Sequence, residues 1–425
     1  MMKKRIVFVL LSTLLIATSC NNNDDTVLPS ATFKVTVENV FMPKAFQSNG
    51  VFDAIPPGNS QSFSFNAGKG SYVSLATMFV KSNDLFYGFS DTGLALYDTN
   101  GDAITGDVTM HISLWDAGTE VNQEPGTGSN QPMNQPEPNT GDDENGTIHL
   151  VNDNFMYPSK ESVIKVSLTY DGGTLFTITI ENLSDTATLA TPLAPGVWAV
   201  HNDQTKLFTD GTTASAGMEK LAEDGDNSMM NEFLTNNSGY FSPFAPGVYA
   251  VHAATVKPIF TNNSSDIGNG LEALAEDGDP SALASSLMST NGIATSGVFN
   301  TPDGASNPGP LLPTNTYSFT ITAQEGDYIS IATMLVQSND LFYAFDDSGI
   351  ALFTNGMPIS GDVTSSLKLW DAGTEINEYP GAGNNQPARG GAMTGIDENG
   401  VVHVVNDGFM YPETAEAIKV TIALQ

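Results

Sequence analysis

Six acids stand where two copies of one pattern place them: Asp84, Asp116 and Glu120 in the first copy, Asp340, Asp371 and Glu375 in the second. Asp84 and Asp340 fall inside Ser-Asn-Asp-Leu-Phe-Tyr (82–87 and 338–343). The other acids bracket Ala-Gly-Thr in Trp-Asp-Ala-Gly-Thr-Glu (115–120 and 370–375). Carboxylates gathered at one point repel and raise one another's pKa, so a converging set calls for a cation between its members. Oxygen donors of this kind suit a hard divalent ion with about six to eight ligands in a flexible shell. Asp in turns also accepts bonds from nearby backbone amides, so spacing alone leaves two readings open, ion ligands or structural turn acids. Gly118 gives the turn the freedom to aim both of its acids at one point.

The elements that must hold these acids read as strands. Thr32 to Val40 alternates Phe33, Val35 and Val37 with Lys34, Thr36 and Glu38, and Val108, Met110, Ile112 and Leu114 alternate up to the Trp-Asp loop. That period of two, repeated in short runs between Gly, Pro, Asn and Asp turns, predicts antiparallel sandwiches with one face of each strand buried. The Asp98 to Asp102 segment has a counterpart lacking both acids, so it is read as an Asn-Gly hairpin turn. Long Pro/Asn/Gln/Gly-rich loops, 126–141 and 381–395, leave directly from the acidic turns. Loops of that length are usually functional, and these are expected to cover the carboxylate end of each sandwich.

The repeat continues downstream with Glu-Asn-Gly, Val-Asn-Asp and Phe-Met-Tyr-Pro, ending at Pro158 and Pro412. Two domains of one kind follow from it: a first sandwich over 31–170 and a second over 174–425, opened by 174–182 as a copy of the strand at 32–39. A smaller duplication lies at 194–243 and 245–298, marked by Ala-Pro-Gly-Val-Trp-Ala-Val-His and Ala-Pro-Gly-Val-Tyr-Ala-Val-His and by two Leu-Ala-Glu-Asp-Gly-Asp runs. Each copy reads as a strand and two short helices. Both are assigned to the second sandwich as helical insertions, and their acids, Glu223, Asp224 and Asp226 with Glu276, Asp277 and Asp279, read either as oxygen ligands or as caps of the helices that follow, the role favoured for Asp.

Asn-Asp-Leu-Phe, then Leu-Trp-Asp-Ala-Gly-Thr-Glu, then Tyr-Pro ahead of a last strand resembles the spondin N-terminal domain, over nearly all of the chain after its leader. The resemblance implies two C2-like antiparallel β-sandwiches, an all-β protein that binds calcium through loop carboxylates and takes part in adhesion. It assigns one calcium to Asp84, Asp116 and Glu120 and another to Asp340, Asp371 and Glu375. Glu120 and Glu375 depart from the family pattern, which carries Asp there.

The first 20 residues carry Lys3, Lys4 and Arg5, then an apolar run from Ile6 to Ala17 that is shorter than the roughly 20 residues a spanning helix needs, then Cys20. This is expected to be a lipoprotein signal, with acylated Cys20 as the mature N-terminus and 21–30 as a polar tether. An outer-membrane lipoprotein of a bacterial cell envelope follows, and acids just after the cysteine resemble surface-export signals. Cys20 is the sole cysteine, so it has no disulfide partner in the chain. With 48 acids against 15 Lys and Arg, net charge −33, nucleic acid and anionic headgroups are disfavoured partners. Contact with the membrane is expected through the lipid alone.

No Gly-x-Ser-x-Gly elbow, His-Glu-x-x-His or phosphate loop is present, and His111, His149, His201, His252 and His403 lack zinc-ligand spacing. The function expected is calcium-dependent binding of an extracellular or envelope protein or glycan, without catalysis. Two alternatives are a carbohydrate-binding lipoprotein using Trp115 and Trp370 and a glycoside-acting enzyme using the paired carboxylates. Burial of each Trp at the end of its sandwich is the plainer expectation.

Overall fold

The computed structural model describes residues 28–390 and 395–425. The leader and the lipidation position Cys20 lie outside the described residues. The fold is all-β, as its alternation predicts, and the strand β1 (Ser30–Asn39) buries Phe33, Val35 and Val37 on one face. The chain runs on through β2 (Ser48–Phe52), β3 (Ser60–Asn66), β4 (Tyr72–Met78), β5 (Leu85–Gly88), β6 (Ser113–Asp116), β7 (His149–Leu150), β8 (Ile164–Gly172), β9 (Leu175–Asn182) and β10 (Gly196–His201). These nine make a first sandwich. Its larger sheet has the order β2-β10-β4-β5-β6-β7, and its smaller sheet is β3-β9-β8 with a short strand at Gly106–Asp107. Helices α1 (Ala216–Asp224) and α2 (Ser228–Asn237) follow.

The second sandwich has the same plan. It takes β11 (Gly247–Ala253), helices α3 (Leu271–Asp277) and α4 (Ser281–Ser289), then β12 (Ile293–Phe299), β13 (Thr316–Gln324), β14 (Asp327–Met334), β15 (Leu341–Ala344), β16 (Lys368–Asp371), β17 (His403–Val404) and β18 (Ile418–Leu424). Its larger sheet is β12-β11-β14-β15-β16-β17. Its smaller sheet is β13-β1-β18, with Gly361–Asp362 at the edge.

This topology corrects the boundary expected between 170 and 174. Strand β9, read as the opening of the second sandwich, is the central strand of the first one's smaller sheet, and β1 fills the same slot in the second. The unit 194–243 serves the first sandwich and 245–298 the second, so each holds one helix pair. Local pairing explains the exchange. β8 and β9 are joined by a tight turn through Gly172 (φ 98°) and Gly173 (φ 60°), and a hairpin closes at far less loop entropy than a strand returning from a distant site. Once β9 has taken the slot, its copy β1 is left for the other sandwich. Asn39 and Asn182 perform the same task in each: Asn39 Nδ2 donates to the carbonyls of Ser242 and Leu311, and Asn182 Nδ2 to those of Ile55 and Thr191. The first sandwich is therefore an insertion between β1 and β11. Its two linkers run side by side, with the amides of Ala45 and Phe46 donating to the Asn237 carbonyl.

Each unit has three layers. One core lies between the sheets, with Val166, Leu168, Ile178, Val73 and Leu75 in the first sandwich and Val35, Val420, Ile422, Ile329 and Ile331 in the second. A second core lies between the larger sheet and its helices: Phe86, Trp115, Val197, Phe208 and Leu221 in the first, Phe342, Trp370, Val248 and Leu274 in the second. Because both faces of the larger sheet are covered, the central strands β4 and β5 are buried almost throughout, which single-face alternation does not anticipate. The 98–102 segment is the expected turn, with Asp98 Oδ1 accepting from the amides of Asn100 and Asp102.

Candidate metal centres

Asp84 immediately precedes β5 and Asp116 ends β6, and the register pairs Leu85 with Asp116. The sheet therefore delivers both acids to one end. Asp116 also pairs with His149 on β7, which brings the Glu144-Asn-Gly146 turn against the same point. Gly118 (φ 68°) makes this possible, since a Cβ there would stand 2.6 Å from the backbone of Thr147.

Ligand atoms of Asp84, Asp116 and Glu144 lie within 4.8 Å of one another, the first two acids buried and the third exposed at the mouth. Asp84 Oδ2 accepts from the Thr119 amide (2.7 Å), the Thr119 hydroxyl (3.1 Å) and the Glu120 amide (3.1 Å). Its Oδ1 is buried with no hydrogen-bond partner. Asp116 is fixed by the Gly118 amide at 2.7 Å and the Asn122 side-chain amide at 2.6 Å, with His149 Nε2 at 4.0 Å. Burial, reinforced by the Asp116 charge, pushes the Asp84 carboxyl up to about 7, and burial also raises Asp116. An ionised buried acid without a partner is costly. A group held rigidly on one oxygen and left bare on the other is disposed to bind a cation.

The second sandwich repeats the frame. Asp340 Oδ2 accepts from the Thr374 amide (2.8 Å), the Thr374 hydroxyl (3.2 Å) and the Glu375 amide (3.1 Å), and its Oδ1 is likewise buried and unpartnered. Asp371 accepts from Gly373 and Asn377 at 2.7 and 2.6 Å. Glu398 takes the place of Glu144, since each donates its own amide to the equivalent threonine carbonyl, Thr374 or Thr119. Burial raises Asp371, and the Glu398 charge adds to it. Among the described residues, the 4.8 Å grouping of three is reached only in the first sandwich.

Glu120 and Glu375 do not belong to these sets. Their backbone amides bond Asp84 and Asp340, but their side chains leave the other way. Glu120 accepts from the Gly141 amide (2.8 Å) and Asn83 Nδ2 (3.2 Å), and Glu375 from Asn339 Nδ2 (3.4 Å). They face Glu223 on α1 and Glu276 on α3, which burial pushes up to about 7. Glu120 thereby ties down the end of the 126–141 loop, and Asp224 holds the same loop through Gln135 and Asn139. Asp226 and Asp279 accept from the amides of Ser228 and Ser281 at 2.9 Å, the capping role read for them. The candidate ligand missed from the sequence, Glu144 with its counterpart Glu398, had a signal in the Glu-Asn-Gly present in both copies.

Trp115 and Trp370 are only 5 % and 1 % exposed, and their Nε1 atoms donate to the carbonyls of Phe89 and Ala344. They pack beneath the helical layer, against Phe208 and Phe260, and offer no face to a sugar. His201 and His252 are buried against Ser74 and Ser330.

Compared with models of known protein families, the chain matches none. A search among curated proteins likewise finds no match.

Proposed function

We propose that this is a two-sandwich, calcium-binding module carried on the bacterial cell envelope by lipid on Cys20, where it binds an extracellular or envelope protein or glycan without catalysis. One observation carries the calcium reading: the buried Asp84 carboxylate keeps one oxygen without a partner and stands in a group of three carboxylates whose ligand atoms lie within 4.8 Å of one another. The donors fit the ion, being hard oxygens from three separate loops with a mouth open to water for the rest of the shell. Asp84, Asp116 and Glu144 would hold one calcium, and Asp340, Asp371 and Glu398 the other. The ion would neutralise the acidic end of each sheet and fix the three loops relative to one another. Those loops would then present a rigid surface to a partner, which is the spondin-like role, and two such surfaces on one chain favour multivalent contact.

The carbohydrate alternative loses its original residues with the burial of both tryptophans. Calcium and EGTA titrations of the mature protein, followed by thermal melting, test the proposal. Calcium at a hundredfold excess over its dissociation constant stabilises a site by about 2.7 kcal/mol, so the melting temperature should rise with calcium and fall on chelation. A melting temperature indifferent to both would remove the calcium reading. Mass spectrometry of the native protein tests the anchor, and an unmodified Cys20 or a cut elsewhere would refute it.

A further inference from the structure

The two sandwiches meet around a cavity of about 520 Å³ that belongs to neither metal centre. Its size lies within the roughly 300–1,000 Å³ of small-molecule sites. The linkers 40–47 and 238–243 form one wall, the 379–389 loop another, and the ends of β3 and β10 the floor. Aromatic surface comes from Tyr240 and Tyr379, the latter 42 % exposed, while Trp198 in the floor is buried and stacked on Phe63. Amides come from Gln337 and Asn66, and Ser48 at the rim has a buried hydroxyl with no hydrogen-bond partner.

Charge sets this cavity apart. The chain has 48 acids and 15 Lys and Arg, yet among the described residues no acid lines the cavity, while Lys44 and Arg389 both do. Arg389 is half-buried and satisfied only by neutral oxygens. Its Nε and Nη2 donate to the Gly381 carbonyl, and its Nη1 to the Lys69 carbonyl and the Ser71 hydroxyl. Lys44 Nζ donates to the Asn236 carbonyl at 2.9 Å. Both cations therefore have hydrogen bonds without a counter-charge among the described residues, in a molecule with a large excess of carboxylates. Their contacts also hold them at the seam: Lys69 and Ser71 belong to one sandwich, Gly381 to the other.

We propose that this interdomain cleft binds an acidic saccharide, a short uronate-bearing oligosaccharide whose ring faces lie on the aromatic wall and whose carboxylate pairs with Arg389 and Lys44. Apolar ring faces meet Tyr379 and Tyr240, amides meet sugar hydroxyls, and Lys44 with the guanidinium supplies the positive charge that draws the carboxylate. The excess of carboxylates over the chain repels such an anion, and among the described residues none of them lines this cavity.

The test is calorimetric titration of the full mature protein with galacturonate trimer, which is too short to form calcium gels, and with the neutral galactose trimer. Both are run in calcium and again in EGTA. We expect the trimer of galacturonate to bind at least tenfold more tightly than the neutral trimer, with affinity falling as salt rises. Arg389→Gln, Lys44→Gln and Tyr379→Ala should each weaken it at least fivefold while calcium stoichiometry stays as in the parent, and Lys44→Gln and Tyr379→Ala should also keep the parent's melting temperature. Since Arg389 also bridges the sandwiches, Lys44→Gln and Tyr379→Ala decide the matter if Arg389→Gln melts early. Equal affinity for the neutral trimer, no binding of galacturonate trimer at millimolar concentration, or unchanged affinity in Lys44→Gln and Tyr379→Ala would each overturn the proposal.

Discussion

The two candidate metal centres share a frame and differ at its rim. In both, an aspartate takes three hydrogen bonds on one oxygen and none on the other, and a second aspartate is pinned by a glycine amide and an asparagine. The first centre closes three carboxylates within 4.8 Å. The glutamate and aspartate feel each other's charge in both, Glu144 with Asp116 and Glu398 with Asp371, but in the second an additional acid, Glu378, approaches Asn339 Nδ2 at 3.4 Å where the first copy has Gln123. The difference teaches that the buried pair is the invariant part and the exposed glutamate is the adjustable one. Calcium affinity is therefore expected to be higher in the first sandwich.

The largest expected effect comes from removing the invariant part. Asp84→Ala strips an ion ligand and leaves the Thr119 and Glu120 amides without their acceptor, each such loss costing about 1–3 kcal/mol. In calcium-containing buffer, denaturant unfolding should show the first sandwich weakened by roughly 3–5 kcal/mol and the bound calcium reduced from two to one. Asp340→Ala should do the same to the second sandwich. If either variant unfolds like the parent, the three hydrogen bonds do not support the loop as described.

The rim is tested next. Glu144→Gln should weaken the first site about tenfold, or about 1.4 kcal/mol, and Glu398→Gln the second site by less. Equal losses in calorimetry would erase the distinction between the two centres.

A pH series sharpens the same point. In the ion-free protein Asp84 and Asp340 are pushed up to about 7, burial being the main cause. An acid with a raised folded pKa binds protons more readily folded than unfolded, so ion-free stability from these groups is present at low pH and lost as pH rises through about 7. Under the proposal, calcium takes the place of the protons. The rise in melting temperature on adding calcium should be largest near pH 8 and shrink towards pH 5, and a rise independent of pH would mean that the ion binds elsewhere.

The smallest effect is expected from Glu120→Gln and Glu375→Gln. Both side chains face away from the aspartate pairs, so stoichiometry should stay at two and affinity should shift by no more than about threefold, equivalent to about 0.7 kcal/mol. The informative change should be faster hydrogen exchange around Gly141, whose amide Glu120 accepts.

Much of this was legible in the sequence, for reasons particular residues make clear. Alternation gave strands such as β1, though the run 108–114 holds a 3-10 turn at Thr109–His111 with Met110 exposed before β6 begins, and the duplication located Asp84, Asp116, Asp340 and Asp371 because strand ends fix where such residues go. Glu120 was misassigned because spacing within a turn says that a residue is near a point, not which way its side chain leaves. Glu144 is separated from Asp116 by a long loop, and only register across β6 and β7 brings them together. The strand exchange was hidden because β1 and β9 are near copies. The Asp171-Gly172-Gly173 turn between two alternating runs was the available hairpin signal, standing where a domain boundary had been drawn. Burial of Trp115 beneath α1 depends on a helical layer far away in the sequence, which strand parity hints at without naming what covers the face.

Calorimetric titration of calcium into the chelator-treated protein, alongside Asp116→Asn and Asp371→Asn, tests the central claim most directly. The account predicts two ions per chain in the parent, with loss of the tighter one in Asp116→Asn and of the weaker one in Asp371→Asn. No heat of binding at millimolar calcium in the parent, or two ions still bound in both variants, would contradict it.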